Sequence, residues 1–152
     1  MEVRAITLRD TEAWLRLRAS LWPHHSLPRH RADIDAFFDG SAAEPLAVLI
    51  ATDPHLGVVG FVELSIRPHA EGCTSSRVAY VEGWFVTEPA RGRGIGARLM
   101  SGAEAWARAK GCTELASDTE LGNEASVLAH RALGFEETRR LVCFRKSLMS
   151  EV

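Results

Sequence analysis

Residues 81–96 read VEGWFVTEPARGRGIG, and this stretch decides how the fold is interpreted. Its first six residues are typical of a buried strand, and a helix is predicted to begin at about Ile95. Between them lies a turn rich in arginine and glycine, which can bend tightly and approach a ligand closely. The first turn of the following helix presents unpaired N–H groups and the positive end of the helix dipole. The segment is therefore a candidate pyrophosphate site.

Two common phosphate-binding motifs do not fit this turn. A dinucleotide-binding G-x-G-x-x-G motif that starts at Gly92 requires glycine at position 97, where the chain has Ala97. A P-loop requires a lysine after its last glycine, and none follows here. The pattern that does fit is Arg91-x-x-Gly94-x-Gly96. A plain tight turn with solvated arginines remains the alternative interpretation.

Outward from this segment, hydrophobic periodicity and turn residues predict alternating strands and helices. Strands are predicted over residues 3–8, 46–52, 58–66, 78–86, 113–117 and 138–145. Helices are predicted between Asp10 and Pro23 and over residues 28–39, 95–110 and 123–133. The order indicates one mixed α/β domain over residues 1–152, with a central mixed sheet of about six strands flanked by four helices.

The composition is that of an ordinary soluble domain. The 152 residues are 46% hydrophobic and 25% charged, with a net charge of −2, which argues against non-specific nucleic-acid binding because that requires a basic surplus. The three cysteines lack the spacing of a disulfide framework or a metal site. The longest apolar run, Leu46–Ala51, is too short to span a bilayer, and no signal peptide is recognised. We expect a cytoplasmic protein without nucleic-acid, membrane or metal partners.

Two motifs in this chain resemble those of the GCN5-related N-acetyltransferases. Arg91-x-x-Gly94-x-Gly96 resembles their acetyl-CoA signature, with a strand before it and a helix after it. Asn123, followed by a helix that ends in the ALGF of residues 132–135, resembles their second motif. The resemblance covers nearly the whole chain. It implies the fold of that superfamily and acetyl-CoA as cosubstrate.

The resemblance also implies which residues hold the cofactor. Backbone groups of the strand end would pair with the pantetheine arm as an added strand does, and N–H groups of the turn would hold the pyrophosphate. A bulge would expose the N–H of Phe85 or Val86, which would polarise the thioester carbonyl. The predicted cofactor-binding residues are Trp84, Phe85, Val86, Arg91, Gly92, Arg93, Gly94, Ile95, Gly96, Ala97 and Asn123.

Two carboxylates are candidates for the amine side of the site. Glu82 lies in the middle of an apolar strand, where a carboxylate is unfavourable unless it is used. Its function would be to accept a proton from the amine; the alternative is a solvent-facing residue or an arginine partner. Asp118 closes the next strand, and ligands of α/β sheets bind at such strand ends. Its alternative is a turn or helix cap.

A narrower resemblance is to the aminoglycoside 6′-N-acetyltransferases. It rests on LWPHH at 21–25, EGCTSS at 71–76, VEGWFV at 81–86, ASDT at 116–119 and LGFEET at 133–138. It implies a polycationic antibiotic as substrate and a homodimer. It also implies that Trp22 and His25 border the antibiotic together with Glu82 and Asp118. For Trp22 the alternative is a core aromatic residue, and for His25 it is a solvated loop histidine.

Three positions depart from the pattern of these families. His130 lies where the wider superfamily often has the tyrosine that protonates the leaving thiolate, so it is either that acid or a surface helix residue. Phe144 occupies a position where several relatives carry a tyrosine. Residues 138–140 read Thr-Arg-Arg where near relatives place another acid. The last departure bears on which acceptors are taken.

The predicted mechanism is direct transfer through a ternary complex. Glu82 accepts the proton of the 6′-ammonium, the amine attacks the thioester, and His130 or water protonates the thiolate. A cysteine acyl-enzyme is disfavoured because neither Cys73 nor Cys112 has a histidine at a telling spacing. Two other functions remain open: an acetyltransferase of the same fold for another amine, and a module that binds acyl-CoA or antibiotic without turnover.

Overall fold

The computed structural model describes residues 1–150, and its contacts divide the chain after Asp118 into two units. The first unit contains β1 (Glu2–Ala5), α1 (Thr11–Leu21), α2 (Leu27–Asp39), β2 (Ala47–Asp53), β3 (Gly57–Arg67), β4 (Val78–Val86), α3 (Ile95–Ala109) and β5 (Leu115–Ser117). The second unit, which begins at Thr119, contains α4 (Glu124–Ala132).

The strands of the first unit form one mixed sheet in the order β1-β2-β3-β4-β5. Each successive pair from β1 to β4 is antiparallel, and β5 is parallel to β4. Antiparallel neighbours need only short connections, which matches the turn residues between β2 and β3. The parallel step from β4 to β5 needs a crossover, and α3 supplies it.

Helices pack on both faces of this sheet. Ile50 and Phe61 of the central strands are fully buried in a cluster with Trp14 of α1 and Ile34 of α2. Leu49, the neighbour of Ile50, points to the other face, where its side chain contacts α3 at Gly102. The alternation of strand side chains therefore places α1 and α2 on one face and α3 on the opposite face.

Strand β4 changes its pairing half-way along its length. The register with β3 shifts at Glu82, which is an extra residue between the Val81–Leu64 and Gly83–Glu63 pairs. Pairing with β5 ends at Val81, so within the described residues Gly83–Val86 has β3 on one side and an open edge on the other. The strand therefore has its bulge at Glu82, and Phe85 and Val86, to which the exposed N–H was assigned, keep regular register with β3.

The predicted sixth strand over residues 138–145 is absent from the structure. The described residues after α4 contain no regular secondary structure, and the side chain of Phe144 is 93% exposed. A strand is stable only when neighbours satisfy its backbone groups, and the irregular alternation of this segment offers no clear buried face. Among the described residues the sheet has five strands, and the four helices are those predicted.

The first strand and the turn after it differ locally from the prediction. The strand predicted over residues 3–8 ends at Ala5 because Leu8–Asp10 form a 3₁₀ turn. The Asp10 carboxylate binds Arg4 and the Thr7 N–H rather than capping α1, and these contacts lower its pKa to about 2.

No helix in the described part of the chain is long and apolar enough to cross a membrane. No group of three or more potential ligand side chains in residues 1–150 could hold a metal ion.

Candidate active site

The arginine- and glycine-rich segment forms a left-handed turn that leads directly into α3. Gly92 has φ 79° and Gly94 has φ 77°, a region that residues with a Cβ atom rarely adopt. Gly94 is the N-cap residue of α3, and its carbonyl accepts a hydrogen bond from the N–H of Arg98 at 3.1 Å. This geometry presents the first N–H groups of α3 in the way that anion binding requires.

Trp84 fastens the end of β4 to the first turn of α3. Its indole N–H donates to the carbonyl oxygen of Gly96 at 3.2 Å. A Cβ atom at Gly96 would lie only 3.1 Å from Cζ2 of Trp84. The third glycine of the turn therefore allows close packing of strand and helix, whereas the first two allow the left-handed backbone.

Both arginines of the turn contact other parts of the chain. Nε of Arg91 donates to the carbonyl oxygen of Val86 at 2.8 Å, and its guanidinium lies over the ring of Phe85 at 5.4 Å. Nη1 of Arg93 lies 3.3 Å from Oδ2 of Asp53. These contacts tie the turn to the end of β4 and to the end of β2. Both side chains remain exposed, so their charge is still available to a phosphate.

Glu82, the bulged residue of β4, is held by an arginine. Nε and Nη2 of Arg67 lie 2.9 and 2.6 Å from the two carboxylate oxygens of Glu82. The Glu82 side chain is 17% exposed and that of Arg67 is 37% exposed, so the carboxylate is the more shielded partner of the pair. The arginine partner that sequence reasoning left as an alternative is present, and Arg67 itself was not among the predicted site residues.

The second carboxylate is joined to the same group through the tyrosine of β4. The hydroxyl of Tyr80 donates to Oδ2 of Asp118 at 2.6 Å, and the guanidinium of Arg67 lies 3.7 Å from the centre of the Tyr80 ring. Burial and this hydrogen bond raise the pKa of the Tyr80 phenol, so it stays a neutral donor. We name Arg67, Tyr80, Glu82 and Asp118 the acceptor cluster. It connects both predicted acids within the first unit.

Trp22 lies beside the acceptor cluster at the end of α1. A Cβ atom at Gly83 would be only 2.6 Å from Cη2 of Trp22, so the indole ring covers the residue next to Glu82. The ring also stacks on His30 with centroids 6.4 Å apart, and it makes a T-shaped contact with Phe61 of the core. Trp22 thus packs against the core, and its ring also lies beside Glu82; its contact with an acceptor stays a prediction.

His25 follows Trp22 and is half-buried in a group of histidines. Nη1 of Arg29 lies 2.8 Å from its Nδ1, and the rings of His24 and His30 are close by. Desolvation, followed by the charge of Arg29, lowers the pKa of His25. An arginine can only donate, so Nδ1 accepts and Nε2 carries the proton toward the surroundings.

A buried polar network under Trp22 was missed by sequence reasoning. Arg18 binds Oε1 of Glu63 at 2.6 Å and Oδ2 of Asp33 at 2.8 Å, and its Nε donates to Nδ1 of His30 at 3.3 Å. His30 Nε2 lies 3.1 Å from the carbonyl oxygen of Trp22, which fixes the end of α1. Burial raises the pKa of Glu63 to about 7, against the effect of Arg18. The available signal was a glutamate within the apolar run of β3.

The second unit holds the remaining two predicted residues. Asn123 is the N-cap of α4, where its side-chain oxygen accepts the N–H of Ser126 at 3.1 Å. His130 lies in the last turn of α4, with Nδ1 2.7 Å from the carbonyl oxygen of Ser126 and its ring against Phe135. Because a carbonyl only accepts, Nδ1 carries the proton and Nε2 presents a lone pair in the neutral ring.

Residues 11–135 match the Acetyltransferase (GNAT) family, which is more than half of the chain. The chain belongs to this family. Two curated relatives, both named aminoglycoside N(6′)-acetyltransferase type 1, are similar over most of its length. The relative from Klebsiella aerogenes is 49% identical over 96% of each chain. The relative from Serratia marcescens is 41% identical over 91% of this chain and 94% of its own.

Solved structures agree with this family membership. The structure of AAC(6′)-Iy in complex with the bisubstrate analog CoA-S-monomethyl-acetylneamine has a TM-score of 0.87 and 39% identity, and covers 96% of this acetyltransferase and 97% of its own chain. The apo structure of the 6′-N-acetyltransferase AAC(6′)-IG from Acinetobacter haemolyticus has a TM-score of 0.87 and 33% identity, and covers 98% and 100%. The mixed α/β fold that the sequence predicts is thereby confirmed.

Proposed function

We propose that this acetyltransferase transfers the acetyl group of acetyl-CoA to the 6′-amino group of aminoglycoside antibiotics and so confers resistance. The observation that carries the proposal is that β4 provides both halves of the chemistry. Glu82 lies at its bulge, the open edge Gly83–Val86 follows, and the left-handed turn begins a few residues later. Relatives that cover almost the whole chain carry this activity in their names.

Acetyl-CoA fits the part of the first unit that follows Glu82. The open edge offers backbone groups with which the pantetheine arm can pair as an added strand does. The turn from Arg91 to Ala97 offers N–H groups and two exposed guanidinium groups for the pyrophosphate. We assign Trp84, Phe85 and Val86 to the arm and Arg91–Ala97 to the pyrophosphate. Asn123 keeps the role that the family resemblance implies, a hydrogen bond to the cofactor.

The acceptor cluster, together with Trp22 and His25, suits a polycationic antibiotic. The cluster holds two carboxylates and one guanidinium, so one negative charge is left for an ammonium group to balance. The indole of Trp22 provides an apolar wall beside Glu82, on which a sugar ring can pack.

The proposed reaction is a direct transfer. The 6′-ammonium loses a proton to Glu82, directly or through water; a carboxylate has about four lone-pair sites, and Arg67 uses two of them. The amine nitrogen attacks the thioester carbonyl carbon, and N–H groups of the open edge stabilise the oxyanion. As the C–S bond breaks, the nitrogen releases its second proton to water. The CoA thiolate takes a proton from water or from His130, which can donate at Nε2 only when its ring is doubly protonated, because Nδ1–H is bound to the Ser126 carbonyl. The products are the 6′-acetamide and CoA.

Thiol release from acetyl-CoA tests the proposal with a panel of amines. We expect release with kanamycin and tobramycin, which carry a 6′-amino group, and none with paromomycin, which carries a 6′-hydroxyl. Release only with spermidine or a histone-like peptide would favour an acetyltransferase for another amine. Silence with every amine, together with retained acetyl-CoA binding, would favour a binding module without turnover.

Glu82→Gln tests the catalytic base within the same assay. We expect turnover with tobramycin to fall by about 10²–10⁴-fold, the usual contribution of a general base, while acetyl-CoA binding is retained. Glu2→Gln is the control, because Glu2 is exposed on the strand at the far edge of the sheet. Unchanged turnover of Glu82→Gln would remove this residue from the mechanism.

We also propose that the two units act as one catalytic domain, that two copies form a homodimer and that the protein is cytoplasmic. The family match runs from residue 11 to residue 135 and so crosses the boundary between the units, which supports one domain. Cysteines without disulfide bonds and a cytosolic cosubstrate support the location. Support for the dimer comes from large apolar side chains that are exposed near the end of the described chain: Leu141, Val142, Phe144, Leu148 and Met149.

A further inference from the structure

Tyr80 is the single tyrosine of the chain, and the mechanism above does not use it. It lies in β4 two residues before Glu82, in register with Ser65 of β3 and Ala116 of β5. The residue is 8% exposed, so its hydroxyl needs a protein partner. That partner is Oδ2 of Asp118, at 2.6 Å.

The two ends of the Tyr80 side chain contact different members of the acceptor cluster. The hydroxyl holds one oxygen of the Asp118 carboxylate, and the other oxygen can accept a hydrogen bond from an ammonium group. The face of the ring carries the Arg67 guanidinium at 3.7 Å, and that guanidinium binds both oxygens of Glu82. One side chain therefore orients both carboxylates.

A purely structural role does not account for this arrangement. A phenylalanine would fill the same space and carry the same guanidinium on its ring. What the hydroxyl adds is a short, charge-assisted hydrogen bond to a carboxylate that is itself exposed at the end of β5. The buried hydroxyl gains the partner that it needs, whereas the exposed carboxylate could be satisfied by water, so for Asp118 the effect of the bond is to fix the direction of the carboxylate.

We propose that Tyr80 is a positioning residue that sets the Asp118 carboxylate for an ammonium group of the acceptor and steadies the Arg67–Glu82 pair beside it. The inference rests on the proposed function, because it deepens the recognition of a polycationic amine at the same site. It concerns acceptor binding alone and leaves acetyl-CoA binding to other residues.

Tyr80→Phe, which removes only the hydroxyl, tests the inference. We expect KM for tobramycin to rise about five- to tenfold, within the range for a typical intramolecular hydrogen bond, with kcat and KM for acetyl-CoA within twofold of the parent values. In Asp118→Asn the hydroxyl no longer orients a charge. Adding Tyr80→Phe to that variant should therefore not raise KM for tobramycin any further. An unchanged KM in Tyr80→Phe, or effects that multiply in the double variant, would overturn the inference.

A spectroscopic readout separates this inference from the proposed function. Tyrosine labelled with ¹³C at Cζ gives one resonance, because the chain has one tyrosine. We expect tobramycin, without acetyl-CoA, to shift this resonance in the parent protein and not in Asp118→Asn. If the resonance shifts neither on addition of tobramycin nor in Asp118→Asn, the role of Tyr80 is overturned even if antibiotic acetylation is observed. A shift without turnover of any amine contradicts the proposed activity and supports the placement of the ammonium group.

Discussion

The two carboxylates of the acceptor cluster differ in their surroundings, and this difference separates their functions. Glu82 is largely shielded, and its charge is offset by a bidentate contact with Arg67. Asp118 is exposed and accepts a hydrogen bond from a neutral phenol, so its charge stays uncompensated. An incoming ammonium group is therefore attracted by Asp118. Glu82, fixed at the bulge, is then available for proton transfer.

Gly83 is required by the ring of Trp22, and replacing it tests whether that ring borders the acceptor. In Gly83→Ala the new Cβ would lie 2.6 Å from the indole, so the ring must move away from the strand. We expect KM for tobramycin to rise at least fivefold while KM for acetyl-CoA stays constant, and stability to fall by about 1–3 kcal/mol, the usual cost of overpacking. Steady-state kinetics and urea unfolding measure these effects.

Gly102→Ala is the matched control for this substitution. Its Cβ would lie 2.9 Å from Cδ1 of Leu49, a close but slightly longer contact on the opposite face of the sheet. Because the end of the leucine side chain can shift, we expect a loss of stability no larger than that of Gly83→Ala, without a change in either KM. Equal kinetic effects of the two alanine variants would show that Trp22 contributes only packing.

At the scale of elements, the open edge of β4 follows from the length of its neighbour. Strand β5 has three residues and pairs only with Ala79, Tyr80 and Val81. It ends directly before Asp118, so the same step in the chain ends the pairing and places a carboxylate at the sheet edge. A longer β5 would cover Gly83–Val86 and leave no backbone groups for the cofactor. The shortness of this strand is thus a condition of the proposed activity.

Helix α3 has a left-handed glycine at each end, and these two residues allow a controlled test of the pyrophosphate site. Gly94, at the start, has φ 77°, and a Cβ there would meet no atom within 4 Å. Gly94→Ala therefore strains the backbone without a clash, at a cost of about 1–2 kcal/mol. Relief of that strain changes the direction of the first N–H groups, so we expect KM for acetyl-CoA to rise about tenfold or more. Isothermal titration with CoA and steady-state kinetics measure the change.

Gly111, just beyond the other end of α3, has φ 79°, and a Cβ there would also meet no atom within 4 Å. Gly111→Ala is therefore the control. We expect the same loss of stability and no change in the affinity for CoA. If both variants weaken CoA binding to the same extent, the effect arises from a less stable α3. That result would contradict a role of the turn in pyrophosphate binding.

At the scale of the whole molecule, the features that could be predicted from the sequence are those marked by residues close together in the chain. The bounds of β4 agree with the prediction, and α3 begins at Ile95 as predicted, because an apolar run and a glycine turn mark them within a few residues. The Glu82–Arg67 and Tyr80–Asp118 contacts join residues that are 15 and 38 positions apart, and only the sheet register brings them together. The predicted strand over 138–145 failed because a strand depends on a neighbour, which its own residues do not specify.

Residues 138–145, which do not form the predicted strand, are the basis of a prediction about how two copies of the chain associate. Phe144 is 93% exposed, and several other large apolar side chains near it are also exposed, which is the pattern of a surface that a partner covers. Phe144→Glu would bury a charge in such an interface, so we expect the mass in solution to fall from twice to once the chain mass of 16.7 kDa. Light scattering after gel filtration measures it, with Leu8→Glu, at an exposed leucine of the first unit, as the control. A parent protein that is monomeric, or a Phe144→Glu variant that stays dimeric, would contradict the proposed homodimer through this surface.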